Sequence, residues 1–189
     1  MSDAFPLATG PRTTLHALRA EDSAEFTAAA RAARSLHGTW LAPPVDAETF
    51  AAWAGPLVAG ETRAGFLLRD RSDGALVGFV NVNNIVRGAF QCGALGYGAF
   101  PPAAGTGRFG EGFGLLLRHA FAGPDGGGLG LHRLEANIRP GNDASRALVR
   151  RHGFRLEGLS PDFLFVDGAW RDHERWALTA EMRPEPANS

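Results

Sequence analysis

Three short apolar runs, separated by tight turns, lead directly into a glycine-rich loop and an amphipathic helix. The runs are Ala64–Arg69, Leu76–Asn83 and Phe90–Phe100, and the turns lie at 72–74 and 87–88. Strands joined by so few residues pair antiparallel, because a parallel pair needs a crossover of a dozen or more residues. The sequence therefore predicts a three-stranded antiparallel meander that leads into a helix.

Further elements flank this segment. The predicted elements are a strand at Thr13–Leu18, a helix at Glu21–His37, a helix between Asp46 and Gly60, a strand at His132–Ile138, a short helix capped by Asn142, and a hairpin of Phe163–Val166 with Ala169–Leu178. This order predicts a mixed α+β fold (αβα) with one crossover that suits a parallel strand pair. No repeat or linker divides the chain. A single domain over residues 1–189 is expected, with its ordered core at about 12–180 and a loose polar tail at Arg183–Ser189.

Composition excludes several chemistries. All 19 basic side chains are arginine, so no lysine can form a Schiff base or serve a Walker phosphate loop. The single cysteine excludes an internal disulfide and a multi-cysteine zinc site. The six histidines lack the spacing of metal ligands, so no metal is predicted. A formal net charge of −1 argues against direct nucleic-acid binding, which usually needs a basic excess.

The sequence also bears on localisation. No apolar run approaches the roughly 18 residues of a membrane span. The stretch Met1–Gly10 lacks the basic start and the apolar segment of a signal peptide. A cytoplasmic protein without a membrane partner is therefore expected.

The glycine loop, Gly105–Gly110, has the form G-x-G-x-x-G. A dinucleotide fold would place this loop after the first strand of a βαβ unit, with an acidic residue about 20 positions on. Here the loop follows an antiparallel meander, and Glu135 lies inside a predicted strand. The loop is therefore predicted to hold a pyrophosphate in another way, through free amides and the positive end of the helix dipole. A compositional bias toward glycine is the alternative explanation.

The residues Pro102-Ala-Ala-Gly105-Thr-Gly107 resemble the phosphate loop Q/R-x-x-G-x-G/A of the GNAT superfamily of acyl-CoA N-acyltransferases. Both glycines match, and the loop lies between a meander and a long helix, as in that superfamily. Pro102 departs from the pattern at the first position, where it removes a side chain but leaves the later amides intact.

A closer resemblance, over roughly residues 12–180, is to the ribosomal-protein-alanine N-acetyltransferase (RimJ/RimL-like) family. The stretches that carry it are 35–44 (SLHGTWLAPP), 84–90 (NIVRGAF), 95–97 (LGY), 131–137 (LHRLEAN), 141–145 (GNDAS), 153–154 (GF) and 167–173 (DGAWRDH). The connection at 123–130 is longer and richer in glycine than is usual in that family.

This resemblance implies the GNAT fold, in which a mostly antiparallel central sheet contains a splayed parallel pair and is flanked by helices. It also implies acetyl-CoA as co-substrate, direct transfer of acetyl to an amine, and an oxyanion contact from a backbone N–H around Gly96–Phe100. The residues assigned to acetyl-CoA are Tyr97, Gly98, Ala99, Phe100, Gly105, Thr106, Gly107, Arg108, Phe109, Gly110, Asn137 and Asn142. For Asn142, a pure helix cap is an equally good interpretation.

The leaving thiolate needs a proton. Many GNAT enzymes use a tyrosine in the fourth helix, but Tyr97, the only tyrosine, lies elsewhere in this sequence. Ser145 stands where the RimJ/RimL-like pattern has a serine and is the candidate general acid. The candidates for the base are Asp162, Glu135, Asp172 and His173, of which Asp162 is favoured. A weak base suffices for an N-terminal α-amine, because its pKa is about 7.7–8.0.

His37, Trp40 and Arg87 are the candidates for contact with the acceptor. Core packing for Trp40 and a solvated turn for Arg87 are the alternatives. Cys92 suggests a covalent acetyl-enzyme, but a buried thiol that serves packing is favoured.

Three functions stay open at this point. The first is acetylation of protein N-terminal amines, the second is acetylation of a small-molecule amine, and the third is a non-catalytic acyl-CoA-binding module. The departure at Pro102 keeps the third in play. A monomer or a homodimer is expected, and the exposed sheet edge of the closing hairpin offers a surface for pairing.

Overall fold

The structure is a computed structural model that describes residues 5–182. Its strands are β1 (Ala8–Thr9), β2 (Thr13–Ala17), β3 (Ala64–Asp70), β4 (Leu76–Val86), β5 (Cys92–Ala99), β6 (Arg133–Ile138), β7 (Arg155–Val166) and β8 (Ala169–Thr179). Its helices are α1 (Ser23–Ala32), α2 (Arg34–His37), α3 (Ala47–Ala59), α4 (Arg108–Phe121) and α5 (Asp143–Arg151). Short 3₁₀ turns lie at Ala20–Asp22, Pro124–Gly126 and Ala180–Met182. The predicted tail, Arg183–Ser189, lies outside the described residues, as do residues 1–4.

The described strands form one sheet in the order β1-β2-β3-β4-β5-β6-β8-β7. Neighbouring strands pair antiparallel except β5 and β6, which are parallel. The chain passes from β5 to β6 through α4, which provides the crossover that a parallel pair requires. The predicted mixed α+β class, the meander β3-β4-β5 and the parallel pair are therefore confirmed.

Helices cover both faces of the sheet. Because successive side chains of a strand point to opposite faces, Phe66 and Leu68 of β3 join a core with α4 and α5, whereas Leu67 joins a second core with α1 and α3. The second core is aromatic. Phe26 of α1 is fully buried, and its ring centre lies 5.3 Å from that of Phe50 of α3.

The first predicted helix, Glu21–His37, is divided in the structure. α1 ends at Ala32, and α2 begins at Arg34 after a tightened turn in which the Ala33 amide donates to two preceding carbonyls. Ala33 is fully buried against the second core, so the chain bends around it. Alanine has the highest helix propensity, and the local sequence therefore gave no sign of this break.

The predicted strand Phe163–Val166 is the last third of a much longer strand, β7. Its first part was missed because Gly158 and Pro161 interrupt the strand pattern, and the register with β8 shifts at both places. Proline is tolerated there because β7 is an edge strand, which leaves one side of its backbone unpaired. The other boundaries differ less: β4 runs on to Val86, and β5 is shorter at both ends than the predicted run.

The predicted helix ends are confirmed at two glycines. Gly60 follows α3 with φ of 80°, and Gly153 follows α5 with φ of 85°, the left-handed conformation that ends many helices. The apolar face predicted for α4 is also confirmed, since Phe113, Leu116 and Ala120 are fully buried. Within residues 5–182, no helix is both long enough and apolar enough to cross a membrane.

Candidate active site

A cavity of about 660 Å³ lies at the C-terminal end of β5. Four segments enclose it: the end of β5, the loop and first turn of α4, the exposed side of α5, and α2 with the residues after it. The lining residues are Leu36, His37, Trp40, Leu41, Tyr97, Gly98, Ala99, Ala104, Gly105, Gly107, Phe109, Gly110, Gly141, Asn142, Asp143, Ala144, Ser145, Ala147, Leu148 and Arg151. The fold thus brings together eight of the twelve residues assigned to acetyl-CoA from the sequence.

The strands β5 and β6 separate beside this cavity. Their parallel register joins Cys92–Leu95 with Arg133–Ala136 and ends there. β5 continues to Ala99 paired with β4, and β6 continues to Ile138 paired with β8. The last residues of β5 therefore have one backbone side that the sheet does not use, and Tyr97–Ala99 lie at the cavity wall.

The glycine loop forms another wall of the cavity. Gly105 and Gly107 have φ of 77° and 83°, a conformation that glycine adopts without strain. A Cβ added at Gly105 would meet no atom within 4 Å, so the loop leaves open space there. Gly107 is the N-cap of α4, and the first amides of a helix have no partner within it. Open space, free amides and the positive end of the helix dipole together suit an anion.

Further along α4, Gly112 serves packing instead. A Cβ at Gly112 would lie 2.8 Å from Cδ1 of Leu68, so the close approach of α4 to β3 requires glycine there. A Cβ at Gly114 would lie 3.4 Å from the ring of His152, an ordinary contact distance, so packing does not require glycine there. Neither residue lines the cavity. The glycine-rich start of α4 thus has two causes, and its cavity-facing part ends at Gly110.

An ion pair braces the loop from the side of β2. The Glu111 carboxylate accepts hydrogen bonds from the backbone amides of Arg12 and Thr13 at 2.7 and 2.9 Å and from Nε of Arg12 at 2.8 Å. Burial disfavours the charged carboxylate, but these hydrogen bonds outweigh it and hold the pKa of Glu111 below its ordinary value. The Arg12 guanidinium also reaches the Thr106 carbonyl at 3.5 Å. The first turn of α4 is thereby tied to the sheet.

A contact of Arg108 with acetyl-CoA stays a prediction, and its side chain has a partner outside the cavity. Its Nε lies 2.5 Å from a carboxylate oxygen of Asp70, and the side chain does not line the cavity. Among the residues that line the cavity, Arg151 is the one arginine. Its spacing from Ala144 and Leu148, seven and three positions, places it on the same face of α5. Arg151 was not among the predicted site residues, although this spacing is a sequence signal that could have identified it.

The N-terminus of α5 presents two polar side chains to the cavity. Oδ1 of Asn142 accepts a hydrogen bond from the Ser145 amide at 3.2 Å, so Asn142 is the helix N-cap. Ser145 lies in the first turn and also lines the cavity. Asn142 therefore caps α5, and because it also lines the cavity, its contact with acetyl-CoA stays a prediction.

Ser145 has a partner that the sequence did not suggest. Its Oγ lies 2.5 Å from the hydroxyl oxygen of Tyr97, which projects from β5. Burial raises the pKa of the Tyr97 phenol to about 12, while the hydrogen bond with Ser145 acts in the opposite direction. The phenol is therefore protonated near neutral pH. Tyr97 does not lie in the helix where many GNAT enzymes carry their tyrosine, but the fold brings its hydroxyl to the candidate acid.

His37, at the end of α2, and Trp40, just after it, also line the cavity. His37 is buried, and its Nε2 lies 2.8 Å from the Ala99 carbonyl oxygen, so Nε2 carries the proton. Trp40 is 41% exposed, and the Arg139 guanidinium lies over its ring at 5.2 Å from the centroid. A polar imidazole and an exposed indole thus form a wall beside the end of β5.

Several predicted site residues lie outside the cavity. The Arg87 guanidinium donates to the Leu129 carbonyl at 2.5 Å and so holds the glycine-rich connection after α4. Asp162 lies in the bulge of β7 with φ of 47°, and its amide donates to the Asp172 carboxylate. Asn137 and Phe100 are likewise not part of the lining, nor is Thr106, whose hydroxyl donates to the Ala103 carbonyl. A role for Arg87 or Asp162 in the reaction stays a prediction.

The other base candidates have structural partners. Glu135 forms ion pairs with Arg133 at 2.9 Å and with Arg175 at 2.8 Å. His173 is buried, with Nδ1 2.9 Å from the Arg171 carbonyl. Neither residue lines the cavity.

Cys92 is buried, as the sequence analysis favoured. Burial raises the pKa of its thiol, and the negative charge of Glu135 raises it further. A raised thiol pKa makes a poor nucleophile. Within residues 5–182, no three His, Cys, Asp or Glu side chains cluster so as to hold a metal ion.

Comparison with known families identifies the class of this fold and cavity. Residues 12–155 match the acetyltransferase (GNAT) domain. The chain therefore belongs to the GNAT acetyltransferase family, and its sheet with the splayed β5–β6 pair is the fold of that family.

The chain is similar to three named proteins. The [ribosomal protein uS5]-alanine N-acetyltransferase of Escherichia coli (strain K12) is 36% identical over 114 residues, which cover 60% of this chain and 56% of the relative. The probable N-acetyltransferase YjcK of Bacillus subtilis (strain 168) is 34% identical over 107 residues, covering 57% and 56%. The chain thus spans little more than half the length of these curated relatives. The structure of Mycobacterium smegmatis RimJ in complex with CoA-disulfide superposes with a TM-score of 0.81 at 29% identity, covering 94% of this chain and 90% of that one.

Proposed function

We propose that this protein transfers an acetyl group from acetyl-CoA directly to a primary amine, and that its acceptor is the N-terminal α-amine of a protein. The observation that carries the proposal is the cavity itself. It joins a helix start that suits an anion, an unpaired strand edge and a serine in the first turn of α5, which are the parts that this transfer would use.

The glycine loop suits the pyrophosphate of acetyl-CoA. The open space at Gly105 and the free amides of Gly107, Phe109 and Gly110 would hold phosphate oxygens without a side chain. Arg151 adds a positive charge on the wall of the same cavity. Backbone amides and arginine thus supply what a lysine supplies in other phosphate sites. The missing side chain at Pro102 leaves these donors in place.

The end of β5 suits the rest of the co-substrate. The pantetheine arm has amide groups that can pair with an unused strand edge, and Tyr97–Ala99 offer that edge at the cavity wall. A backbone N–H of this segment would stabilise the negative charge that develops on the thioester oxygen. Asn142 would contact the arm or hold α5 in place for it.

The chemistry needs one proton donor and little help from a base. Acetyl-CoA supplies the acetyl group as an activated thioester. Ser145, in the first turn of α5, would give its Oγ proton to the departing sulfur. A good part of an N-terminal α-amine is neutral at pH 7–8, because its pKa of about 7.7–8.0 is well below the value of about 10.4 for lysine. The reaction therefore does not need a strong general base, and Glu135, a candidate for that role, is held in ion pairs with Arg133 and Arg175.

The acceptor would enter past His37 and Trp40. Two of the relatives described above are named as N-acetyltransferases, and one of them is named for an alanine of a ribosomal protein. These names, together with the resemblance of residues 35–44 and 141–145 to that family, support a protein N-terminus as the acceptor.

The decisive experiment is mass spectrometry of acceptors after incubation with acetyl-CoA. The panel contains ribosomal proteins, a lysine-free peptide with a free N-terminal alanine, the same peptide with a blocked N-terminus and one internal lysine, and spermidine. We expect a gain of one acetyl group on the first peptide and on a ribosomal protein, and none on the blocked peptide. Acetylation of spermidine alone would replace the protein acceptor by a small amine. Binding of acetyl-CoA without acetylation of any acceptor would show that the protein is a binding module.

A further inference from the structure

The contact between Tyr97 and Ser145 joins the central sheet to the helix that carries the candidate acid. Because it depends on the role of Ser145, the following inference rests on the proposed function. We propose that Tyr97 is a positioning residue for Ser145: its hydroxyl donates to Oγ of Ser145, directs the Ser145 proton at the departing sulfur, and stabilises the charge left on Oγ.

Both ends of this contact are fixed by neighbouring groups. The ring of Tyr97 packs edge-on against Phe113 of α4, with ring centroids 5.1 Å apart, and lies 6.3 Å from Phe109. The backbone of Ser145 is held by the Asn142 cap. A separation of 2.5 Å between the two hydroxyl oxygens is at the short end for O–H···O hydrogen bonds. The pair is therefore preorganised at the cavity wall, since both residues line it.

The direction of the hydrogen bond follows from acidity. A phenol is a stronger acid than an aliphatic alcohol, so it is the better donor of the two. Burial keeps the phenol protonated, since its pKa is raised to about 12. With Tyr97 as the donor, Oγ of Ser145 uses a lone pair for this bond and keeps its own proton for a different acceptor.

The proton balance of the step is simple. Attack of the amine on the thioester carbonyl gives a tetrahedral adduct. The carbon–sulfur bond of this adduct then breaks, and its electron pair stays on sulfur. As sulfur takes the Oγ proton of Ser145 and becomes a thiol, the Tyr97 hydroxyl stabilises the negative charge that develops on Oγ. The surplus proton of the acetylated nitrogen replaces the Oγ proton, so no free alkoxide forms beside the more acidic phenol. Hydrogen bonds to charged groups are stronger than those to neutral ones, so Tyr97 stabilises the charged oxygen more than the resting serine.

The test is a double-mutant cycle of Tyr97→Phe and Ser145→Ala in the complete chain. Tyr97→Phe removes one oxygen and keeps the ring packing. We expect kcat to fall about 10- to 100-fold, with KM for acetyl-CoA changed less than about twofold. In the Ser145→Ala background, Tyr97→Phe should change kcat by less than about twofold, because the hydroxyl acts only through Ser145. Thr27→Val is the matched control: it removes a buried hydroxyl from α1, outside the cavity, and should leave kcat unchanged.

A second measurement reports on the contact without turnover. Tyr97 is the only tyrosine, so phenolate absorbance near 295 nm follows this residue alone. Once Tyr97 ionises, the Ser145 hydroxyl can turn and donate to the phenolate, which lowers the phenol pKa. Ser145→Ala should therefore shift the onset of phenolate absorbance to higher pH while circular dichroism shows an intact fold. An unchanged titration would show that the contact is absent in solution and would overturn the proposal.

Kinetic measurements distinguish failure of the positioning role of Tyr97 from failure of the proposed acetyltransferase function. A Tyr97→Phe enzyme with wild-type kcat, or two variants whose losses multiply, would sink the positioning role while leaving the acetyltransferase function intact. A wild-type protein that acetylates no amine in the panel would instead refute the proposed function, and the positioning role would fall with it.

Discussion

The Asn142 side-chain oxygen accepts a hydrogen bond from the Ser145 amide at 3.2 Å, so the residue that caps α5 also fixes the position of the candidate acid. A second helix cap, at Asp46, holds no candidate catalytic residue. Asp46 caps α3 by accepting from the Thr49 amide at 2.8 Å and does not line the cavity. The two caps therefore separate the stability of a helix from its function.

Removal of each cap should cost similar stability but different activity. Asn142→Ala and Asp46→Ala should each lower the free energy of unfolding by about 1 kcal/mol, measured by urea denaturation. Only Asn142→Ala should reduce kcat, by about 10-fold or more, because the first turn of α5 then holds Ser145 loosely. Equal kcat values in the two variants would mean that the Asn142 cap has no catalytic consequence.

Replacement of Ser145 should separate catalysis from binding. Ser145→Ala should lower kcat by about 10²–10⁴-fold, the usual contribution of a general acid. The dissociation constant of CoA, measured by calorimetry, should change less than about twofold, because the loop of Gly105–Gly110 is untouched. Ser160→Ala, on β7 and outside the cavity, is the control and should retain full activity. Intact turnover in Ser145→Ala would refute the assignment of the acid.

A pair of glycines can show whether the loop binds phosphate. Gly105 and Gly74 have nearly the same φ, 77° and 76°, and a Cβ at either would meet no atom within 4 Å. Alanine should therefore cost both sites similar backbone strain, about 1 kcal/mol. Gly105→Ala also places a methyl group in the space where a phosphate would lie, whereas Gly74 lies in the turn between β3 and β4. We expect KM for acetyl-CoA to rise at least about tenfold in Gly105→Ala and to stay unchanged in Gly74→Ala. The same KM in both variants would argue against phosphate binding at Gly105.

Local patterns predicted the parts of the fold that depend on near neighbours. The turns at 72–74 and 87–88 predicted the meander, and the spacing of Phe109, Phe113 and Leu116 predicted the buried face of α4. The cap at Asn142 was also recognisable, because capping depends on residues within one turn. The same locality explains two errors: nothing near Ala33 shows that it must bend into a core, and Gly158 with Pro161 hides a strand that its edge position tolerates.

The site needed tertiary structure where distant residues meet. Tyr97 and Ser145 are 48 positions apart, and their contact depends on how far β5 extends beyond its pairing with β6. The alternation of side chains along β5 accounts for the direction of the Tyr97 side chain. Leu95 and Tyr97 lie two positions apart on a strand and so share a face, and Leu95 belongs to the core that α4 and α5 cover. The partner of Arg108 was equally hidden from local sequence, because Asp70, the carboxylate that its side chain pairs with, comes from a strand far back in the chain.

The ion pair that anchors the glycine loop should make stability depend on pH. The pKa of Glu111 lies below its ordinary value because donors from Arg12 and Thr13 outweigh the effect of burial. The stabilisation by this carboxylate is therefore fully present above the ordinary glutamate pKa of about 4.3, and it is lost as the pH falls through the lower, folded-state pKa.

Glu111→Gln should lower the free energy of unfolding by about 2 kcal/mol at pH 7, because it removes a charged acceptor from several donors. The gap between wild type and variant should narrow as the pH falls below about 4.3, where the wild-type carboxyl is itself becoming protonated. Urea denaturation at a series of pH values from 7 to 3 measures this gap. Glu61→Gln, at an exposed position before β3, is the control and should change stability by less than about 0.5 kcal/mol at every pH. A gap for Glu111→Gln that stays constant down to pH 3 would contradict the assigned role of the carboxylate charge.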